Sequence, residues 1–411
     1  MPDRSVDFLL IGGGIACARC AQTLRKEGAD GSILVVGREP DLPYSRPPLS
    51  KEYLAGKMER EEAIGGAAED GWYRENDVEV LTRTSVMKLD SGERVAKLSN
   101  KQEVGFDKAL LATGANVRRL RVDGGDLEGI HYLRSFGNAD AIRAEAERGK
   151  RAVLIGGSYI GVEVAATLTT LGVECKVLMQ EDVCLQPQYG DEVGGFFERL
   201  LREHGIEAVG GDSLGRYEGS DGRVQKVVSE GGVELECDFV VVGAGVMPDV
   251  MLARGAGLEL GEAGGVKCSD RLESSVPGIY AAGDMCEYDS PLHGGPVRIE
   301  HWDVAAEHGK TAARNMLGQD TPHDVVPYFW SDIADWAQLE YVGVGSGDRQ
   351  VIRGSIDDGE FTAFSLDGGR LVAAATVGRS EDLTEARRMI VERAEPDPGR
   401  LADVSADLSD L

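Results

Sequence analysis

Two glycine-rich stretches in this chain have the spacing that lets a backbone approach a pyrophosphate. The first runs Gly12, Gly13, Gly14, Ile15, Ala16, Cys17, and the second Gly156, Gly157, Ser158, Tyr159, Ile160, Gly161. In a G-x-G-x-x-G turn the first glycine permits the bend and the second admits phosphate. The third lets the helix pack closely on its strand, and the helix N-terminus attracts the negative charge. Cys17 replaces the third glycine of the first copy, so packing there is expected to be slightly looser. Either turn alone could be a tight strand-to-helix connection. Two copies, each framed by a strand and a helix, point to two dinucleotide sites.

The strand that follows each such helix should end in a carboxylate for ribose hydroxyls. "LMQED" offers Glu181 and Asp182 with no lysine or arginine adjacent. A 2′-phosphate would meet like charge there, which favours NADH over NADPH. In "VVGREP" the residue in question is Glu39, preceded by Arg38.

Other chemistry-bearing residues need context. "LPYSRPPLSKEYL" (residues 42–54) carries Arg46, Ser50 and Lys51 and no thiol; on composition alone Lys51 would be a solvated surface lysine. Cys17 and Cys20 form a C-x-x-C at a helix start. That is either a redox pair with a lowered pKa or two small residues buried on a packing face. The seven cysteines are odd in number and scattered, which reads as reduced thiols. Neither they nor the histidines show metal-ligand spacing, so no metal is expected. His301 could move protons or simply pack. Trp302 and Trp330 could be core aromatics, and Trp336 is expected in the core.

The elements that must position these residues alternate. "DFLLIG", the helix "IACARCAQTLRKEG" and "SILVVG" make one β-α-β unit; "AVLIGG", "SYIGVEVAATLTTLG" and "ECKVLMQ" repeat it. "DKALLATGANVRRL" and "CDFVVVGAGVMPDV" are matching strand-to-glycine-turn segments, "GIYAAGDMCEYD" runs a strand into an Asp-containing turn, and "EHWDVAAEHGKTAARNMLG" reads as a helix. From about residue 325 the pattern changes to apolar–polar alternation with glycine turns, as in antiparallel strands, before a helix at "EDLTEARRMIVERA". The acidic tail after Pro396 could pack or fray.

The chain has 411 residues, too many for one core, so two or three domains are expected. The formal net charge of −27 argues against nucleic acid or an anionic membrane as partner, and would repel an acidic carrier unless a local basic patch exists. No apolar run reaches membrane-span length and no signal peptide is evident, so a cytoplasmic protein is expected.

"IGGGIA", "RPPLSK", "LLATGA", "LIGGSYIGVEVAA", "VVGAGVMPD", "GIYAAGD", "EHWDVAAEHG" and "VPYFWSD" together resemble, nearly end to end, the FAD-dependent pyridine nucleotide oxidoreductases of the ferredoxin/rubredoxin reductase and apoptosis-inducing-factor type. The resemblance implies an α/β fold with two Rossmann-like nucleotide-binding domains, for FAD and NAD, plus a C-terminal α+β domain that helps cover the flavin. The expected boundaries are 1–118 and 248–325 for the FAD domain, 119–247 for the NAD domain, and 326–411 for the last.

It also implies roles. Gly12 and Gly14 would approach the FAD pyrophosphate beside Thr113 and Gly114. Glu39 would meet ribose, and Val86 the adenine through its backbone. Arg46, Lys51 and Arg134 would be further FAD contacts, Asp284 would hold ribitol hydroxyls, and Trp302 and Trp330 would line the isoalloxazine. For NADH, Gly157 and Ile160 fall in the second turn, Tyr159 would sit between flavin and nicotinamide, and Glu181 would hold the adenosine ribose. Gly245 and Glu300 would border the carboxamide. The C-x-x-C would lie on a helix facing pyrophosphate, far from the ring, which favours the packing reading.

Where relatives stack a cysteine pair on the flavin, this chain would place Lys51 paired with Glu163. The ammonium would stabilise the reduced ring, and electrons would leave the flavin directly. The expected function is a NADH-dependent flavoprotein reductase, monomer or homodimer, serving a ferredoxin or rubredoxin-type carrier. The alternatives are an apoptosis-inducing-factor-like NADH oxidoreductase using quinone, oxygen or monodehydroascorbate, and a redox-responsive interaction protein.

Overall fold

The structure is a computed structural model that describes residues 1–69 and 71–411. The chain divides into two compact units. The first comprises Met1–Arg46, Glu59–Asn116 and Met247–Pro327. Its central sheet has seven strands. The apolar runs Arg4–Ile11, Ile33–Val36, Val78–Leu81, Glu103–Leu111 and Ile279–Ala281 pair in parallel. Ile33–Val36 and Ile279–Ala281 are buried throughout and accordingly carry no charged residue. The hairpin of Val86–Asp90 and Val95–Leu98 extends the sheet antiparallel. Arg4–Ile11 lies between Ile33–Val36 and Glu103–Leu111. Strand order therefore reverses at the carboxyl end of Arg4–Ile11, where open α/β sheets bind ligands. Helices Ile15–Lys26 and Trp302–Met316 bury small residues, including Ala16, Ala21, Ala305 and Ala312, against this core.

The second unit comprises Pro47–Met58, Val117–Val246 and Tyr328–Leu411. It holds a five-stranded sheet, all parallel, in the order Glu207–Val209, Glu174–Leu178, Arg151–Ile155, Phe239–Val242, Ile130–Tyr132. Its later part is a five-stranded antiparallel sheet of Tyr328–Ile333, Ala337–Gly343, Arg370–Val377, Glu360–Asp367 and Arg349–Ser355, followed by helix Asp382–Glu392. The acidic tail packs: the buried Arg353 guanidinium donates to the carbonyls of Leu401, Asp403, Val404 and Ala406. Among the described residues no helix is long and apolar enough to cross a membrane.

Candidate functional site

In the first unit, strand Arg4–Ile11 runs through Gly12–Gly14 into helix Ile15–Lys26. Gly12 has φ +148°, and a Cβ there would fall 2.1 Å from the Ala112 carbonyl oxygen, so only glycine fits. Gly14 caps the helix without a side-chain hydrogen bond, and a Cβ on it would meet open space. The first amides of the helix thus face a cleared approach, which suits a pyrophosphate. Cys17 and Cys20 lie on the packing face of this helix. Burial pushes the Cys17 thiol up to about 12 and Cys20 well above its ordinary value, the opposite of an activated pair. All seven cysteines are buried and free.

The Ala112 contact sets Gly12 beside the next turn. Thr113 donates to the Asp249 carbonyl (2.6 Å) and reaches Met285 Sδ (2.8 Å), which brings the Gly283–Met285 turn and Asp284 to the same end of the sheet. Arg298 holds the Asp284 carbonyl (3.0 Å) and the Glu300 carboxylate (2.5 Å). Glu39 accepts from Arg46 (2.5 Å) and from the Tyr44 hydroxyl (2.6 Å). Burial pushes its pKa up, but the Arg46 charge and these bonds outweigh it and hold the carboxyl below its ordinary value. Arg38 turns to Asn116 (2.9 Å) and Asp249 (3.3 Å). Val86 opens its strand, and Trp302 opens its helix behind the N-cap His301. Burial draws the His301 pKa down to about 4, against the pull of Asp284.

In the second unit the helix Tyr159–Thr170 starts at Ser158, whose hydroxyl donates to the Gly243 carbonyl (2.8 Å) instead of capping the helix. A Cβ at Gly161 would fall 2.1 Å from the Gly156 oxygen, so the first helical turn rests directly on the glycine turn. Gly157 abuts Met179, and Ile160 is exposed in the first helical turn. Glu181 follows strand Glu174–Leu178, Gly245 takes φ +84°, and Arg134 precedes helix Phe136–Arg148. The Tyr159 hydroxyl lies 2.7 Å from that of Tyr189, and its ring packs on Phe329 at 4.4 Å between centroids.

The densest chemistry lies around Lys51. Its amine is 3.5 Å from Glu163 Oε1, 3.1 Å from Asp332 Oδ2, and 5.7 Å from the centre of the Trp330 ring. Glu163 is 5 % exposed and accepts from Ser50 Oγ (2.5 Å) and Ser331 Oγ (2.6 Å). Burial raises its pKa, opposed by the Lys51 charge and both hydroxyls. Thr167, one turn after Glu163, donates to the Ser50 carbonyl (2.7 Å) and ties the two segments together. Asp332 and Tyr189 were not foreseen as site residues; "FWSD" contains the first, and no local pattern marks the second. Trp336 is a correction. It is half-buried and stacks on His204 at 3.8 Å, because the turn it occupies lies at the edge of its sheet.

The fold and this constellation define a two-dinucleotide flavin-type oxidoreductase without a redox-active thiol pair. Residues 6–309 match the family described as pyridine nucleotide-disulphide oxidoreductase, and residues 328–411 match the reductase C-terminal domain. The chain belongs to this family. It is 35 % identical over 406 residues to the ferredoxin–NAD(+) reductase component of the anthranilate 1,2-dioxygenase system of Burkholderia cepacia, covering 98 % of each chain. It superposes on the ferredoxin reductase for the CYP199A2 system of Rhodopseudomonas palustris with a TM-score of 0.94, at 30 % identity, over 98 % of this chain and 99 % of that one. On the reductase of the covalent putidaredoxin reductase–putidaredoxin complex the TM-score is 0.93, at 32 % identity, over 98 % and 97 %.

Proposed function

We propose that this chain is a NADH-dependent FAD flavoprotein reductase that passes electrons to a small ferredoxin-type iron–sulfur protein. The observation that carries the reading is the Lys51 ammonium held between Glu163 and Asp332 against Trp330, in a protein whose cysteines are all buried and free. FAD held by these residues would supply the exchange between two-electron hydride chemistry and one-electron transfer. A fixed cation supports the charge that hydride brings, with no dithiol relay. The names of the relatives reported above point to the same acceptor class.

In this reading Gly12, Gly14, Thr113 and Gly114 cradle the FAD pyrophosphate, and Arg46 and Glu39 form a fixed pair toward the ribose side. Val86 meets the adenine, Asp284 the ribitol, and Trp302, Trp330, Lys51 and Arg134 complete the FAD contacts. Gly157, Tyr159, Ile160, Gly245 and Glu300 belong to the NADH site. Glu163 orients Lys51, and Glu181 with Asp182 selects NADH over NADPH by repelling a 2′-phosphate. Residues 1–118 and 248–325 would form the FAD domain, 119–247 the NAD domain and 326–411 the covering domain. The free thiols favour a cytoplasmic location.

Anaerobic stopped-flow mixing tests this. NADH should bleach the flavin, and a panel of oxidised ferredoxins should restore its colour faster than quinones, oxygen or monodehydroascorbate. A protein that binds no flavin, or that only quinones reoxidise, overturns the reading.

A further inference from the structure

Resting on that reading, the reaction leaves a proton to be removed. NADH delivers two electrons and one proton as hydride. Two one-electron carriers take only the electrons, so each turnover releases one proton, and a buried centre needs a path for it.

The two carboxylates that flank Lys51 differ in what surrounds them. Glu163 is closed: both oxygens are held by buried serine hydroxyls, and its side chain is 6 % exposed. Asp332 is 28 % exposed, and its second oxygen is fixed by Gln338 Nε2 at 2.8 Å. Lys51 and Asp332 also share a cavity of about 150 Å³ that Glu163 does not line. Thr167 and Thr170 contribute hydroxyl-bearing side chains to its wall, and exposed Glu52, Lys57 and Asp335 rim it. A space of that size, with Lys51, Asp332 and the two threonines in its wall, has room for several waters with hydrogen-bond partners.

We infer that Asp332 is the proton exit of this reductase, acting through Lys51 and discharging into the water of this cavity. An N–H bond of the Lys51 ammonium breaks as an O–H bond forms at Asp332 Oδ2, while Lys51 takes up the proton left at the reacting centre. Asp332 then loses its proton to water. Glu163 stays in place as the anchor. Nothing is oxidised or reduced in this relay.

The test uses the FAD-loaded protein, reduced with one equivalent of NADH and mixed anaerobically with ferricyanide in weak buffer containing a pH-indicator dye. Ferricyanide takes electrons without a docking site, so the result does not depend on the natural carrier. Asp332→Asn should slow proton appearance at least tenfold, and formate should restore it. Ala55→Leu, which plugs the cavity and leaves the Lys51 contacts intact, should slow it similarly. Unchanged proton release in both variants, or slow release that formate does not restore, overturns the inference. A second measurement needs no turnover: hydrogen exchange of the 15N-labelled Lys51 ammonium with water should slow about tenfold in Asp332→Asn. If NADH fails to reduce the wild-type protein, the function reading falls, and this exchange rate alone decides whether the Asp332 path exists; no change refutes it.

Discussion

The hydroxyl oxygens of Tyr159 and Tyr189 lie 2.7 Å apart, and the second ring is 2 % exposed. Tyr189 therefore fixes the phenol that the proposed mechanism places against the nicotinamide. Burial raises both phenol pKa values, so the pair stays neutral across the working range. Tyr189→Phe removes one hydrogen bond and keeps the ring, a loss of about 1 kcal/mol. Saturation of flavin bleaching should need roughly fivefold more NADH, with a smaller change in the limiting rate. Titrating the bleaching amplitude and rate against NADH checks this.

Lys51 and Glu163 should be coupled in stability as well as in function. Lys51→Met leaves a buried carboxylate without its cation, which costs roughly 3–5 kcal/mol when one partner of a buried pair is removed. Adding Glu163→Gln removes the stranded charge, so the double variant should be more stable than Lys51→Met alone by more than about 1 kcal/mol. Urea unfolding of the wild type, both single variants and the double variant measures the coupling.

Acid should loosen the turn that carries Asp284. His308 is fully buried, and its Nδ1 accepts from the Gly283 amide at 3.2 Å. It packs edge-on against His323, whose Nδ1 pairs with Thr311, and Tyr288 closes the cluster. Burial holds the His308 pKa well below its ordinary value and draws His323 down to about 4. The unfolded chain binds protons near pH 6.5 that the folded cluster refuses, so stability is full above that pH. It falls as pH drops toward 4, by about 1.4 kcal/mol per unit for each histidine. Urea midpoints should decline through that window. Once His308 is protonated it can no longer accept from Gly283, so flavin release should accelerate there too; fluorescence of freed flavin follows it.

The C-terminal tail should depend on Arg353, which is 5 % exposed and lies 3.5 Å from Asp382. Arg353→Met leaves four tail carbonyls without their common donor, while Asp382 keeps Arg379 at 2.9 Å and Thr362 at 2.8 Å. It should destabilise the protein by about 2 kcal/mol and open residues 396–411 to limited proteolysis. Mass mapping of early fragments checks this.

Much of the frame was legible because its causes are local. Apolar runs punctuated by glycine mark the two β-α-β units. The one-turn spacing of Glu163 and Thr167 puts both on the helix face that meets the Ser50–Lys51 segment. Trp336 misled because an aromatic in an alternating strand pattern looks the same at the core and at the sheet edge.

What the sequence determined by itself was the class of chemistry: two glycine turns, each between a strand and a helix, which follow from backbone conformation and from residue types within a few positions of one another. The place of Lys51 where relatives stack a thiol pair came from the motif resemblance, not from local pattern. Only the tertiary structure decided that Lys51 has a second carboxylate, 281 residues away in the chain, and that Tyr189 anchors Tyr159. Periodicity encodes which face of an element is buried. It does not encode which distant element arrives there, because that depends on how every intervening strand and helix packs.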